Sequence, residues 1–126
     1  MNSLRDTVNF LKELPKEKLD RLRKDWIVDN DDFCFTESNL SLATVSEIYW
    51  ELDRDNKLFE KNDPVYPIYR IEQLLDLVRN KGYEIVVGMN TKGEFLLNIV
   101  KGKEERNLMT TNLWLELMKF YVSIIQ

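Results

Sequence analysis

Apolar residues recur at helical spacing in five parts of the chain. In the first, Leu4, Val8 and Leu11 repeat every three or four residues, and Pro15 separates this stretch from the next. The same spacing recurs in separate segments that begin near Leu42, near Ile71 and close to the C-terminus. The pattern predicts helices over about 4–14, 16–26, 42–53, 71–80 and 112–126.

Strand-forming residues are concentrated in the second half of the chain. Residues 83–89 are rich in aromatic and β-branched side chains, the turn-forming residues 90–93 follow, and 94–101 run back. This order predicts an antiparallel hairpin. We predict a shorter strand at Phe33–Phe35, and we interpret residues 102–107 as a charged connection to the last helix.

The order of these elements indicates an α+β fold. The N-terminal half is predicted to be mostly helical, and the second half to consist of a helix, an antiparallel hairpin and a second helix. We expect this C-terminal helix to pack on the small sheet. Pro64 and Pro67 hold Val65 and Tyr66 between them in an extended conformation. The length of 126 residues favours a single domain over 1–126. The polar stretch 53–64 is the only candidate internal boundary.

The last helix is apolar around most of its circumference. Its polar residues form one narrow stripe of Asn112, Glu116, Lys119, Ser123 and Gln126. A helix of this kind is buried on at least two sides. Two interpretations follow. Either it is the central core helix lying on the hairpin, or one flank with Trp114 and Tyr121 forms an interface with a partner or a second copy.

Composition excludes several kinds of catalytic site. The chain has no His and one Cys, so Ser-His-Asp and Cys-His mechanisms would need a His from a partner, and neither an intrachain disulfide nor a Cys-based zinc site can form. Cys34 lies between two Phe residues, which indicates a buried apolar position. None of the four glycines belongs to a phosphate-binding loop. We therefore expect neither an enzyme nor a cofactor.

Acidic residues are concentrated in the middle of the chain. Residues 25–63 hold eleven Asp and Glu against three Lys and Arg, within a chain of net charge −4. A calcium loop starting at Asp29 would place Phe33 and Cys34 where it needs an oxygen ligand and a glycine. We interpret these acids as a solvated surface that attracts a basic partner. The candidate partner-binding residues are Asp29, Asp31, Asp32, Asp53, Asp55, Trp114 and Tyr121.

These features favour a small acidic protein that binds another protein without catalysis. By size and charge alone it compares with accessory or inhibitor proteins of phages and mobile elements. One alternative is a self-associating structural accessory protein with the C-terminal helix as the homodimer seam. Another is a metal-dependent enzyme using the Asp29–Asp32 turn. We expect no direct nucleic-acid binding. Without a visible signal peptide or membrane span, we expect a cytoplasmic location.

Overall fold

The computed structural model describes residues 3–27, 31–36, 43–44 and 65–125. The chain begins with two helices, α1 (Ser3–Lys12) and α2 (Lys16–Lys24). Pro15 lies directly before α2, and its φ of −59° suits the start of a helix. The second helix ends two residues earlier than predicted, and Trp26 lies beyond its end with a buried side chain.

The first sheet is antiparallel, with strand order β2–β1–β3. Its strands are β1 (Phe33–Thr36), β2 (Ala43–Thr44) and β3 (Val65–Ile68). The short strand predicted around Cys34 is confirmed, and Cys34 is fully buried, as expected. The extended conformation predicted for Val65 and Tyr66 is confirmed as part of β3.

The helix predicted over 42–53 is wrong at its start. Ala43 and Thr44 form β2 instead, opposite Cys34 and Phe33 of β1. Pairing with this apolar strand outweighs the helical spacing of a short segment, because local propensity is weak against tertiary contacts. The remainder of that prediction, and the polar stretch 53–64, lie outside the described residues.

The second half contains a helix followed by a three-stranded antiparallel sheet. Its elements are α3 (Ile71–Asn80), β4 (Glu84–Met89), β5 (Phe95–Lys101) and β6 (Glu104–Thr110). The strands are ordered β4–β5–β6, and we call them the second sheet. The predicted helix and hairpin are both confirmed.

The charged connection predicted at 102–107 is wrong. Only Gly102 and Lys103 lie between β5 and β6, and Gly102 has a φ of 61°, in the left-handed region that glycine adopts readily. From Glu104 the chain forms β6, which is an edge strand. Its charged side chains remain exposed there, as edge strands permit.

The C-terminal helix α4 (Leu113–Ile124) packs in the centre of the fold. The Asn112 side chain begins it, accepting a hydrogen bond from the Leu115 N–H at 3.1 Å. At its other end, Lys18 Nζ donates to the Ile125 carbonyl oxygen at 3.2 Å. Leu117 is fully buried. The buried cluster that contains Leu117 also includes residues of both sheets. The described helices and the two antiparallel sheets confirm the predicted α+β fold.

Candidate functional site

Side chains of the second sheet alternate between two faces, and one face packs into the core with α3 and α4. On this inner face Ile85, Leu97 and Ile99 are almost fully buried. The ring of Tyr83, just before β4, meets the ring of Phe120 on α4 edge to face at 5.2 Å. The inner face is therefore part of the core.

The opposite, outer face of the second sheet is open and carries apolar side chains. Val86 is 65% exposed, Leu96 44% and Met109 60%. In the strand register Gly88 pairs with Leu96, which pairs with Met109. A Cβ added at Gly88 would meet no atom within 4 Å. A depression of about 480 Å³ lies over these residues. We call Val86, Leu96 and Met109, together with Gly88, the outer patch.

A polar and acidic border adjoins the outer patch. Asn98 lies beside it and donates from Nδ2 to Glu105 Oε1 at 2.8 Å and to Asn107 Oδ1 at 2.7 Å. Glu84 is the other charged residue on the outer face, and the outward positions of the three strands hold neither Lys nor Arg. The outer face therefore combines an apolar centre with negative charge.

The structure separates the acidic residues that the sequence grouped together. Asp31 is exposed, whereas Asp32 is 1% exposed. Asp29, Asp53 and Asp55 lie outside the described residues. Their part in partner binding stays a prediction.

Buried Asp32 joins three elements of the fold. Its Oδ2 accepts a hydrogen bond from Trp26 Nε1 at 2.8 Å, and its Oδ1 accepts one from Gln73 Nε2 at 2.9 Å. The Arg70 guanidinium lies 3.3 Å from the same Oδ1. This carboxylate ties the end of α2 to the start of α3, and it is buried rather than part of the exposed acidic surface.

Trp114 and Tyr121 lie on inward parts of α4. Tyr121 is fully buried, and its hydroxyl donates to Asp25 Oδ2 at 3.0 Å. Trp114 is half-buried, and its indole N–H donates to the Tyr69 carbonyl oxygen at 2.6 Å. For this flank the contacts favour the core interpretation over the interface one.

Two tyrosines around this flank have strongly raised pKa values. Burial is the largest cause of the raised pKa of Tyr121, followed by its hydrogen bond to the Asp25 carboxylate. Burial also raises the pKa of Tyr69, whose ring meets that of Tyr121 edge to face at 5.8 Å. Both hydroxyls stay protonated near neutral pH and therefore act as hydrogen-bond donors within the fold.

A second concave surface lies between the β5–β6 turn and α4. It encloses about 700 Å³, and its walls include Tyr83 with Lys101 Nζ 4.8 Å from the ring centroid. Arg106 lies over the Phe120 ring at 5.6 Å. Glu104 and Glu105 line the same groove. Because this groove carries both positive and negative side chains, its charge does not favour one class of ligand.

The described ranges contain neither a metal-ligand cluster nor a membrane-spanning helix. Within them no three Cys, Asp or Glu side chains come together in a way that would hold a metal ion. None of the helices described there is long and apolar enough to cross a bilayer. No protein-family model, curated protein or solved structure matches the chain.

The outer patch was missed by the sequence reasoning, although the strands carry a signal for it. A strand with one covered face alternates apolar and polar residues, whereas adjacent apolar residues point to both faces. Each strand of the second sheet contains such an adjacent pair: Val86–Val87, Leu96–Leu97 and Leu108–Met109. One member of every pair must therefore face outward, where no second layer of the described chain covers it.

Proposed function

We propose that this chain is a non-catalytic protein-binding module that uses the outer face of the second sheet as its contact surface. The observation that carries the proposal is the exposure of Val86, Leu96 and Met109 on one face around the open position Gly88. Apolar clusters of this kind mark surfaces that a partner covers, because burying them on binding is favourable.

The shape of the outer patch supports a protein partner. It is a shallow depression on a flat sheet, whereas small-molecule sites are deep clefts that enclose most of their ligand. An apolar side chain of a partner fits into the depression over the outer patch, where Leu96 lies between Gly88 and Met109 in the strand register.

Charge defines the chemistry of the partner. Glu84 and Glu105 border the outer patch, and basic residues do not occur at the outward positions of these strands. A partner surface with an apolar centre and a Lys- or Arg-rich rim is complementary to this face. The same surface repels nucleic-acid phosphates. A basic protein was also the partner expected from the acidic middle of the chain.

Site-specific photo-crosslinking tests the proposal. A photoreactive amino acid is placed at Met109 in one variant and at Glu17 in another, since Glu17 is exposed on α2, which contacts the end of α4 and not the outer patch. Each variant is irradiated in an extract of the cells that encode the chain. We expect a discrete adduct with a different protein from position 109 and none from position 17.

Competition experiments distinguish specific binding at the outer face from non-specific adsorption. Adding excess unlabelled protein should remove the adduct at position 109, whereas excess Leu96→Lys should not. Absence of an adduct at position 109, or equal adducts at both positions, would contradict the proposed contact face. An adduct of twice the chain's own mass would indicate self-association instead.

A further inference from the structure

We propose that two copies of this chain pair through the exposed edge of β4 and form one continuous six-stranded sheet. The strand order leaves β4 and β6 as the two edges of the second sheet. A strand edge is a row of backbone donors and acceptors that a second strand can complete. This inference concerns the edge of the sheet and is independent of the proposed partner on the outer face.

The direction of the free backbone groups follows from the adjoining turn. The Asn90 N–H donates to the Glu94 carbonyl oxygen at 2.9 Å, across the β4–β5 pair. Hydrogen-bonded positions alternate along an antiparallel pair. The N–H and C=O groups of Ile85, Val87 and Met89 therefore point away from β5. Neither a turn nor a loop of the described chain bonds to them.

The two edges differ in how they are protected. Natural edge strands avoid pairing through charges, prolines or bulges. β6 carries Glu104, Glu105 and Arg106 at its first three positions, whereas β4 has its single charge at Glu84, its first residue. The four residues that follow Ile85 on β4 are apolar or glycine, and all of them are exposed. β4 is therefore the less protected of the two edges.

The sequence of β4 is complementary to itself in one register. Antiparallel pairing centred on Val87 places Ile85 opposite Met89 of the second copy. These are the positions with outward backbone groups, so each such pair exchanges two hydrogen bonds. Val86 then stands opposite Gly88 of the second copy, where there is space for it. Glu84 falls opposite Asn90, so no like charges meet. A second copy of this chain is thus the occupant that fits.

The symmetry of this pairing has a consequence for the outer face. Antiparallel strands in one sheet are related by a two-fold axis perpendicular to the sheet, so both outer faces lie on the same side. The dimer would present two outer patches on one surface. A single strand pair is a small interface, so we expect the dimer to form in a concentration-dependent way.

Sedimentation velocity from micromolar to millimolar concentration tests the inference. We expect wild type to shift from monomer to dimer over this range, and Val87→Pro to stay monomeric throughout. Val87 has its N–H at the open edge, so proline there removes no hydrogen bond within the monomer. Asn107→Pro, in the middle of the β6 edge, is the matched control and should dimerise like wild type. A wild type that stays monomeric, or a Val87→Pro variant that dimerises, would overturn the inference.

Charge variants test the register and do not depend on proline being tolerated. Val87→Lys and Val87→Glu each place like charges opposite one another and should be monomeric alone. Mixed in equal amounts, they should form a heterodimer, whereas failure of the mixture to associate would refute a register centred on Val87. Leu96→Lys should leave the dimer intact while removing the crosslink to the partner. This difference distinguishes failure of the edge pairing from failure of the proposed function.

Discussion

Replacing Asp32 by Ala should strongly destabilise the fold, although sequence reasoning placed this residue on an acidic surface. Its carboxylate is 1% exposed and accepts hydrogen bonds from Trp26 and Gln73. Truncation leaves the buried Trp26 indole N–H without this acceptor, and water has little access to replace it. Gln73 and Arg70 lose the same partner at the edge of the site.

The expected loss follows from these contacts. An unsatisfied buried donor costs about 1–3 kcal/mol, and the partly exposed Gln73 adds about 0.5–1 kcal/mol. The Arg70 side chain is 32% exposed and also bonds to Glu72 at 2.9 Å, so its lost pairing adds at most about 1 kcal/mol. The sum is about 1.5–5 kcal/mol, against a total stability of about 5–15 kcal/mol for an ordinary domain.

Urea denaturation measures this loss directly. The Asp32→Ala midpoint should fall well below that of wild type, with an unchanged dependence of the unfolding free energy on urea concentration. Asp76→Asn is the control, since the Asp76 side chain is 76% exposed and should change stability by about 0.5 kcal/mol or less. Equal midpoints for the two variants would refute a structural role for Asp32.

Three further predictions concern the core around α4 and β1. Leu117→Ala should cost about 2–5 kcal/mol because the side chain is fully buried, whereas exposed Lys119→Ala should cost about 0.5 kcal/mol or less; equal denaturation midpoints would contradict the packing of α4. A thiol reagent should label buried Cys34 far more slowly in the folded than in the denatured protein, and equal labelling rates would show that it is accessible. The unfolding free energy should fall as pH rises above about 10, because Tyr121 ionises there when unfolded while its raised pKa keeps it protonated when folded. Tyr121→Phe should reduce this slope in denaturation curves recorded across that range, with Tyr69 supplying part of the remainder, and an unchanged slope would exclude a contribution from Tyr121.

Elements held by local patterns were predicted well from the sequence. The spacing of Ile71, Leu74 and Val78 predicted α3. The strand-forming residues on both sides of the 90–93 turn predicted the β4–β5 hairpin. In both cases the pattern and the burial agree, because an amphipathic element needs only one covered side. The narrow polar stripe of α4 predicted burial on at least two sides, and the contacts of Trp114 and Tyr121 favour the core interpretation over the interface one.

Two strands were missed because their formation depends on distant partners. Ala43 and Thr44 form too short a segment to indicate a strand in the sequence, and they become β2 by pairing with β1. The charged residues at the start of β6 resemble a loop in the sequence, but after the two-residue turn at Gly102 they pair with β5. Neither pairing is visible in the local composition.

The candidate site was the least predictable part. The sequence alone does not say how many layers cover a sheet, so the apolar residues of the hairpin did not by themselves indicate an open face. Leu96 and Leu97 look alike along the chain, yet only the register assigns Leu96 to the open face. Likewise, Asp31 and Asp32 are adjacent acids, and only the fold shows which of them is buried.

The central claim is that the outer face of the second sheet binds a protein partner. Once the protein crosslinked at position 109 is identified, its dissociation constant is measured with wild type, Leu96→Lys and the control Glu17→Lys. Burying a lysine in an apolar contact should weaken binding at least about tenfold for Leu96→Lys, with the control equal to wild type within about twofold. Undiminished affinity of Leu96→Lys, or equal loss in the control, would contradict the assignment of this face.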